Sequence, residues 1–151
     1  MKKLENTIYI VGRRRAKGVF RKLNKRRQNV HYFKEEILCS NSLNCNTRIV
    51  IMEESHNSAI LLDELKKHPK IHIIFLSNNT SFIHVIKTVR KGVTDYILKD
   101  AYLFYSILKS IKKSENINHF AKHSKRVYFD TCDFKNSSPV GFKIAKWFSL
   151  F

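Results

Sequence analysis

Cysteine is scarce: Cys39, Cys45 and Cys132 are an odd count of three in 151 residues, without framework spacing. A disulfide scaffold is not expected, and a reducing compartment is the simpler reading. No apolar run approaches the roughly 18 residues needed to cross a bilayer. The opening stretch MKKLENTIYIVGRRR has basic residues before a short apolar run, but an acid, an asparagine and further arginines interrupt it. It does not have the form of a signal peptide, so a cytoplasmic location is expected, with attachment to a larger assembly or to the inner face of the membrane left open. Acids are the other shortage, 12 Asp and Glu against 29 Lys and Arg, for a formal net charge of +17. Such a charge bears on partners and solubility, and says nothing about fold.

What is present suits a folded domain: 43% of residues are hydrophobic and 12% aromatic, and the length can bury a sizeable core but not two full domains. Short β-branched and aromatic runs alternate with stretches of helical periodicity. The runs are NTIYIVG (6–12), NVHYF (29–33), TRIVIME (47–53), KIHIIFLS (70–77) and DYILK (95–99). Between them lie a cationic amphipathic helix over 14–27, a weak helix over 34–40, a leucine-bearing helix stopped by Pro69, and a helix ended at Gly92. A last helix is expected to begin at Asp100, a good N-cap, and to span AYLFYSILKSIKK. Five strands alternating with five helices imply a parallel sheet joined by right-handed crossovers, an α/β sandwich whose functional groups gather at the carboxyl ends of the strands.

Those ends carry Gly12 and Arg13 after the first strand, Glu53 and Glu54 after the third, Ser77 after the fourth and Lys99 after the fifth. The segment GVTDYILKD (92–100) resembles the glycine-alanine-x-x-tyrosine-x-x-lysine segment of response-regulator receiver domains, with Gly92, Tyr96 and Lys99 in matching places. Ser77 matches the hydroxyl residue closing the family's fourth strand, and the interval from Ser77 to Lys99 needs no gap. The resemblance spans about residues 6 to 112. It implies a flavodoxin-like (βα)5 sandwich with strand order 2-1-3-4-5.

The family's chemistry is only partly represented. Receivers hold magnesium with an acidic pair after the first strand and accept a phosphoryl group on an aspartate after the third. Here Gly12 and Arg13 match the pair and Glu53 matches the acceptor. A hard dication wants carboxylate oxygens, and a side chain one methylene too long is misplaced for in-line attack, where positioning is most of the catalysis. Gly12, Arg13, Glu53, Ser77 and Lys99 therefore read as a degenerate phosphorylation site. Arg13 and Lys99 are expected to neutralise Glu53 without a metal, and Ser77 and Tyr96 resemble the family's hydroxyl and aromatic switch pair. The family's proline after the lysine is replaced by Asp100. No cofactor, catalysis or small-molecule substrate is expected. A surviving phosphoacceptor at Glu54 is the minor alternative.

Residues 13 to 27 hold nine cations and no acid: Arg13, Arg14, Arg15, Lys17, Arg21, Lys22, Lys25, Arg26 and Arg27. A solvated helical face, a nonspecific nucleic-acid surface and a site for an acidic protein all fit, and no sequence-reading motif accompanies the run. Residues 1–112 are expected to form the receiver-like domain, 113–139 a polar extension or linker, and 140–151 an amphipathic helix. In that last helix Val140, Ile144, Trp147, Phe148 and Phe151 share one face. This tail could pack back on its own domain, dock on a protein or lie in a membrane interface. His119, His123 and Cys132 lack the fourth ligand of a zinc site. The function expected is a noncatalytic, receiver-like interaction module of a bacterial cytoplasm. It would engage a protein partner through the tail, or through the last strand and its flanking helices. Nonspecific nucleic-acid binding through the first helix is the alternative.

Overall fold

The computed structural model describes residues 6–123, with side chains to Ile117. The tail anchor formed by Val140, Ile144, Trp147, Phe148 and Phe151, and the part of the expected 113–139 linker that follows residue 123, lie outside the described residues; residues 113–123 of that linker are helical. The chain divides into two units, Met1–Lys112 and Lys113–Phe151, and the first holds the sheet.

The elements run β1 (Thr7–Val11), α1 (Arg14–Asn24), β2 (Val30–Phe33), α2 (Glu36–Ser42), β3 (Thr47–Glu53), α3 (Ser58–Leu65), β4 (His72–Ser77), α4 (Phe82–Arg90), β5 (Asp95–Leu98) and α5 (Leu103–His123). All strand pairs are parallel and their order is β2-β1-β3-β4-β5. The alternation of runs and helices predicts the parallel sheet, and the flavodoxin-like (βα)5 order is the one that the family resemblance implies.

Side chains alternate across the sheet with a period of two. Ile8, Ile10, Ile49, Ile51, Ile74 and Leu76 join Ala16, Val19 and Leu23 of α1 and Leu103, Ile107 and Ile111 of α5 in one buried cluster. Their neighbours Tyr9, Val11, Val50, Met52, Ile73 and Phe75 join Leu61, Leu62 and Leu65 of α3 in the other. Helices cover both faces, so the central strands read as nearly unbroken apolar runs. Ala16, Val19 and Leu23 recur at i, i+3 and i+7, which places the basic residues of α1 outward.

The second helix is shifted to Glu36–Ser42 from the expected 34–40, and the bounds of the first and last helices differ as well. The first helix stops at Asn24, and Arg26 and Arg27 donate their amides to the Leu23 carbonyl in a closing turn. The last helix starts at Leu103, because Asp100 first caps a separate turn: its Oδ1 accepts the Tyr102 N–H at 2.8 Å. It then continues to His123, ten residues past the expected end at Lys113, since no glycine or proline interrupts residues 103–123.

Cys39 of α2 is fully buried. Burial, helped by the nearby Glu36 carboxylate, pushes its thiol from 9.0 up to about 12. A thiol whose pKa is higher when folded adds stability that is intact below the unfolded value and is lost as pH rises from about 9 toward 12. Cys39→Ala is therefore expected to flatten the alkaline limb of a stability–pH curve in that window. It should also leave the number of fast-reacting thiols at pH 8 unchanged in a thiol-reagent titration, because a protonated, buried thiol is unreactive. Loss of one fast thiol would contradict the burial.

Candidate functional site

Strand order reverses between β1 and β3, and the register pairs Val11 with Met52, so Gly12 and Glu53 meet at the topological switch point. Gly12 has φ +141°, and a Cβ placed there would lie 2.5 Å from Glu53 Cβ and 2.9 Å from Glu53 Oε2. Only glycine lets the glutamate carboxylate fold back against the turn. Tyr32 of β2 donates its hydroxyl to the Gly12 carbonyl at 2.8 Å and fixes the turn from the other side.

The glutamate carboxylate is consumed within the fold. Its Oε2 accepts the Arg13 N–H at 2.9 Å and the Ala16 N–H at 3.2 Å. Its Oε1 lies 3.1 Å from Lys99 Nζ. These side chains are 10% and 12% exposed, so the pair is nearly dry. Helix α1 begins at Arg13 with no side-chain cap and no acid in its first turn, leaving amides that need an acceptor. The amides of the N-cap residue and of the third helical residue are the two that a capping box satisfies. Here one carboxylate oxygen from β3 takes both, and its charge also suits the positive end of the helix dipole.

This corrects the expected role of Arg13. Its side chain is exposed, and it reaches Glu53 through its backbone N–H rather than its guanidinium. The reason is geometric: the chain turns into α1 at Gly12, which aims the amide inward and the side chain outward. Lys99 is the one cation whose side chain pairs with Glu53 among the described residues. It is held there because its N–H extends the β4 ladder by bonding the Ser77 carbonyl at 3.0 Å.

Ser77 is fully buried but belongs to a second network. Its hydroxyl donates to Glu54 Oε2 in a short contact and accepts the Asn79 N–H at 2.9 Å. Glu54 Oε1 lies 2.9 Å from His84 Nε2 of α4. Tyr96 donates its hydroxyl to the Asn79 carbonyl at 2.7 Å, and its ring meets His84 edge-on at 6.0 Å. Burial raises the Tyr96 phenol above its ordinary 10.0; the Ser77 hydroxyl opposes this and the Glu54 carboxylate adds to it. The six strand-end residues thus form two carboxylate centres, one at Glu53 and one at Glu54. Sequence reasoning missed His84, for which no motif called.

A third polar cluster was also not legible. At the amino ends of β4 and β5, His72 Nε2 lies 2.9 Å from Asp95 Oδ2 and 3.0 Å from Ser110 Oγ, and Ser110 donates to the same carboxylate in a short contact. Acid and hydroxyl meet the same ring nitrogen, whereas a hydrolytic triad needs them on opposite nitrogens. The cluster ties α5 to the sheet. Among the described residues, no group of three or more His, Cys, Asp or Glu side chains is gathered to hold a metal, and no helix is long and apolar enough to cross a membrane.

No family model matches the chain, and no curated protein matches it. Among solved structures it is similar to NtrX from Brucella abortus, in a crystal structure in complex with ATP. The TM-score is 0.59 and the identity 17%, over 76% of this chain and 29% of that one. The chain therefore spans under a third of the length of the protein it matches. At that identity the likeness shows the fold alone, a receiver-like (βα)5 sheet with the order 2-1-3-4-5.

Proposed function

We propose that the protein is a receiver-like interaction module that does not accept phosphoryl groups and that docks on a protein partner through β5 and its flanking helices. One observation carries the first half: the carboxylate at the acceptor position has both oxygens occupied, by Lys99 and by two amides of α1. Phosphoryl transfer depends on an aligned, available oxygen with its charge neutralised by a metal. Glu53 is already neutralised, and turning it outward would uncap α1 and strand the Lys99 ammonium. Glu54 is more exposed; one of its oxygens accepts the Ser77 hydroxyl and the other lies near the His84 ring. The expected result of incubation with acetyl phosphate and magnesium is an unchanged intact mass. A stoichiometric phosphoryl adduct on either glutamate would refute this reading.

The docking face is supported by what stays uncovered. Strand β5 is an edge strand. On α4, Phe82 is 61% and Ile83 65% exposed; Tyr102 at the β5–α5 turn is 73% exposed, and Tyr105 in the first turn of α5 is 69% exposed. Large aromatic and aliphatic side chains left in water beside a strand edge are what protein interfaces use as anchors. With Tyr96 tied to Asn79, the face is held in one state and does not depend on a modification. A cytoplasmic adaptor role follows, with the tail at 140–151 as a second anchor for the same assembly.

A further inference from the structure

The first helix and the β5–α5 turn enclose a groove of about 490 Å³, lined by Arg14, Arg15, Gly18, Lys22, Asp100 and Phe104, with Val19 and Leu103 in its apolar floor. We propose that this groove binds single-stranded nucleic acid. The two surfaces share the β5–α5 turn but use different side chains, Tyr102 and Tyr105 for docking and Asp100 and Phe104 in the groove, so each can be tested by its own substitutions.

Three features point to this ligand. The cations are arranged along a track. Arg15 and Lys22 stand two turns apart on one flank of α1, about 10 Å along the helix, and Arg26 follows in the turn that closes it. Lys22 Nζ lies 5.2 Å and Arg26 Cζ 5.5 Å from the centre of the Phe104 ring. The ring therefore holds two charged heads at the groove while their stems pack. Asp100, the one acid in the lining, already accepts the Tyr102 N–H through Oδ1.

The groove also has an apolar, aromatic floor. A duplex hides its base faces and would use only the cations, and a purely acidic chain such as poly-glutamate would likewise leave the floor unused. A flexible single strand offers phosphates to the wall and an unstacked base that packs beside the half-buried Phe104 and the Lys22 and Arg26 heads held over its ring. The volume suits a nucleotide-sized unit.

Gly18 is the third feature. Glycine in the middle of an exposed helix is disfavoured relative to alanine, and no packing requires it, because a Cβ built there would meet nothing within 4 Å. What the missing side chain does is keep the groove open, so that a ligand can approach the α1 backbone between Arg14, Arg15 and Lys22.

Gly18 also supplies a test in which charge is constant. Binding of the full chain to a fluorescein-labelled oligothymidylate of about 20 nucleotides would be followed by anisotropy over a salt series. The wild type is expected to bind with micromolar affinity and a salt slope near −3, from four cations at about −0.7 each. Gly18→Leu should leave the melting temperature unchanged or raised and weaken binding tenfold or more. The charge-neutral change Phe104→Leu should weaken it about fivefold, through loss of stacking.

Equal affinity of wild type and Gly18→Leu would reduce the interaction to unspecific charge and overturn the groove. A duplex bound as tightly as the strand would overturn the single-stranded class. Poly-glutamate displacing the oligonucleotide at equal charge concentration would assign the groove to an acidic protein instead. No binding at low salt would refute the proposal outright, and would leave the docking of β5 untouched.

Discussion

Glu53→Gln is expected to lower the unfolding free energy by about 3 kcal/mol or more, because removing one member of a buried ion pair strands the other. Glutamine keeps an oxygen that can still accept the Arg13 and Ala16 amides, so the helix start is not lost. The ammonium of Lys99, 12% exposed, loses its partner, and the amino end of α1 loses an anion that favours its dipole. For a domain of this size the loss corresponds to a fall in melting temperature of roughly 10 °C or more. Urea denaturation followed by circular dichroism measures it. Glu53→Asp is an informative companion. One methylene shorter, the aspartate has to give up either Lys99 or the α1 amides. Losing hydrogen bonds to a charged group costs about 1.5 to 3 kcal/mol. The aspartate is thus expected to destabilise this chain, and a stabilising effect would mean that Glu53 is not the cap of α1.

Gly12→Ala is the second large effect expected. An alanine Cβ would sit 2.5 Å from Glu53 Cβ and 3.0 Å from Ala16 Cβ, and the backbone at φ +141° disfavours any side chain. Overpacking a tight site costs about 1 to 3 kcal/mol, and the forced backbone conformation about 1 to 3 more. Neither contact is with the far end of a flexible side chain, so relief requires moving β3 or the start of α1. The expected loss is about 3 kcal/mol. Because the strain displaces Glu53, Gly12→Ala combined with Glu53→Gln should cost less than the sum of the two. Strict additivity would show that the glycine serves only its own turn.

Much of the sheet is written in the sequence, because a strand buried on both faces leaves a compact apolar run that little else produces. TIYIV, TRIVIME and HIIFLS show this, and β3 begins and ends where its pattern does. The close of α5 was not legible, since a polar helix without glycine or proline has no stop signal and its start depends on how Asp100 is used one turn earlier. At the site, the convergence of Glu53 and Lys99 followed from strand-end positions. The partner supplied by Arg13 did not, because the group at work is a backbone amide that every residue but proline carries. Its direction is set by the turn at Gly12. The clusters Glu54–Ser77–His84 and His72–Asp95–Ser110 draw on residues of different elements, joined only by the register of β3, β4 and β5. Pairwise spacing along the chain carries no trace of them.

In this fold the carboxylate at the end of β3 is bound by Lys99 and by the amides that open α1. Its duty is to start α1. The helix it starts displays the cationic track, so a weakened Glu53 should disturb the α1 groove before it disturbs the β5 edge.

The most direct measurement of this account is a double-mutant cycle between Glu53→Gln and Lys99→Met, read by urea denaturation of the four proteins. The account predicts that each single change is costly and that the double variant recovers about 1 to 3 kcal/mol relative to the sum, the range of directly contacting pairs. Coupling within about 0.5 kcal/mol of zero would show the two side chains to be energetically separate, and would contradict the claim that the acceptor-position carboxylate is spent inside the fold.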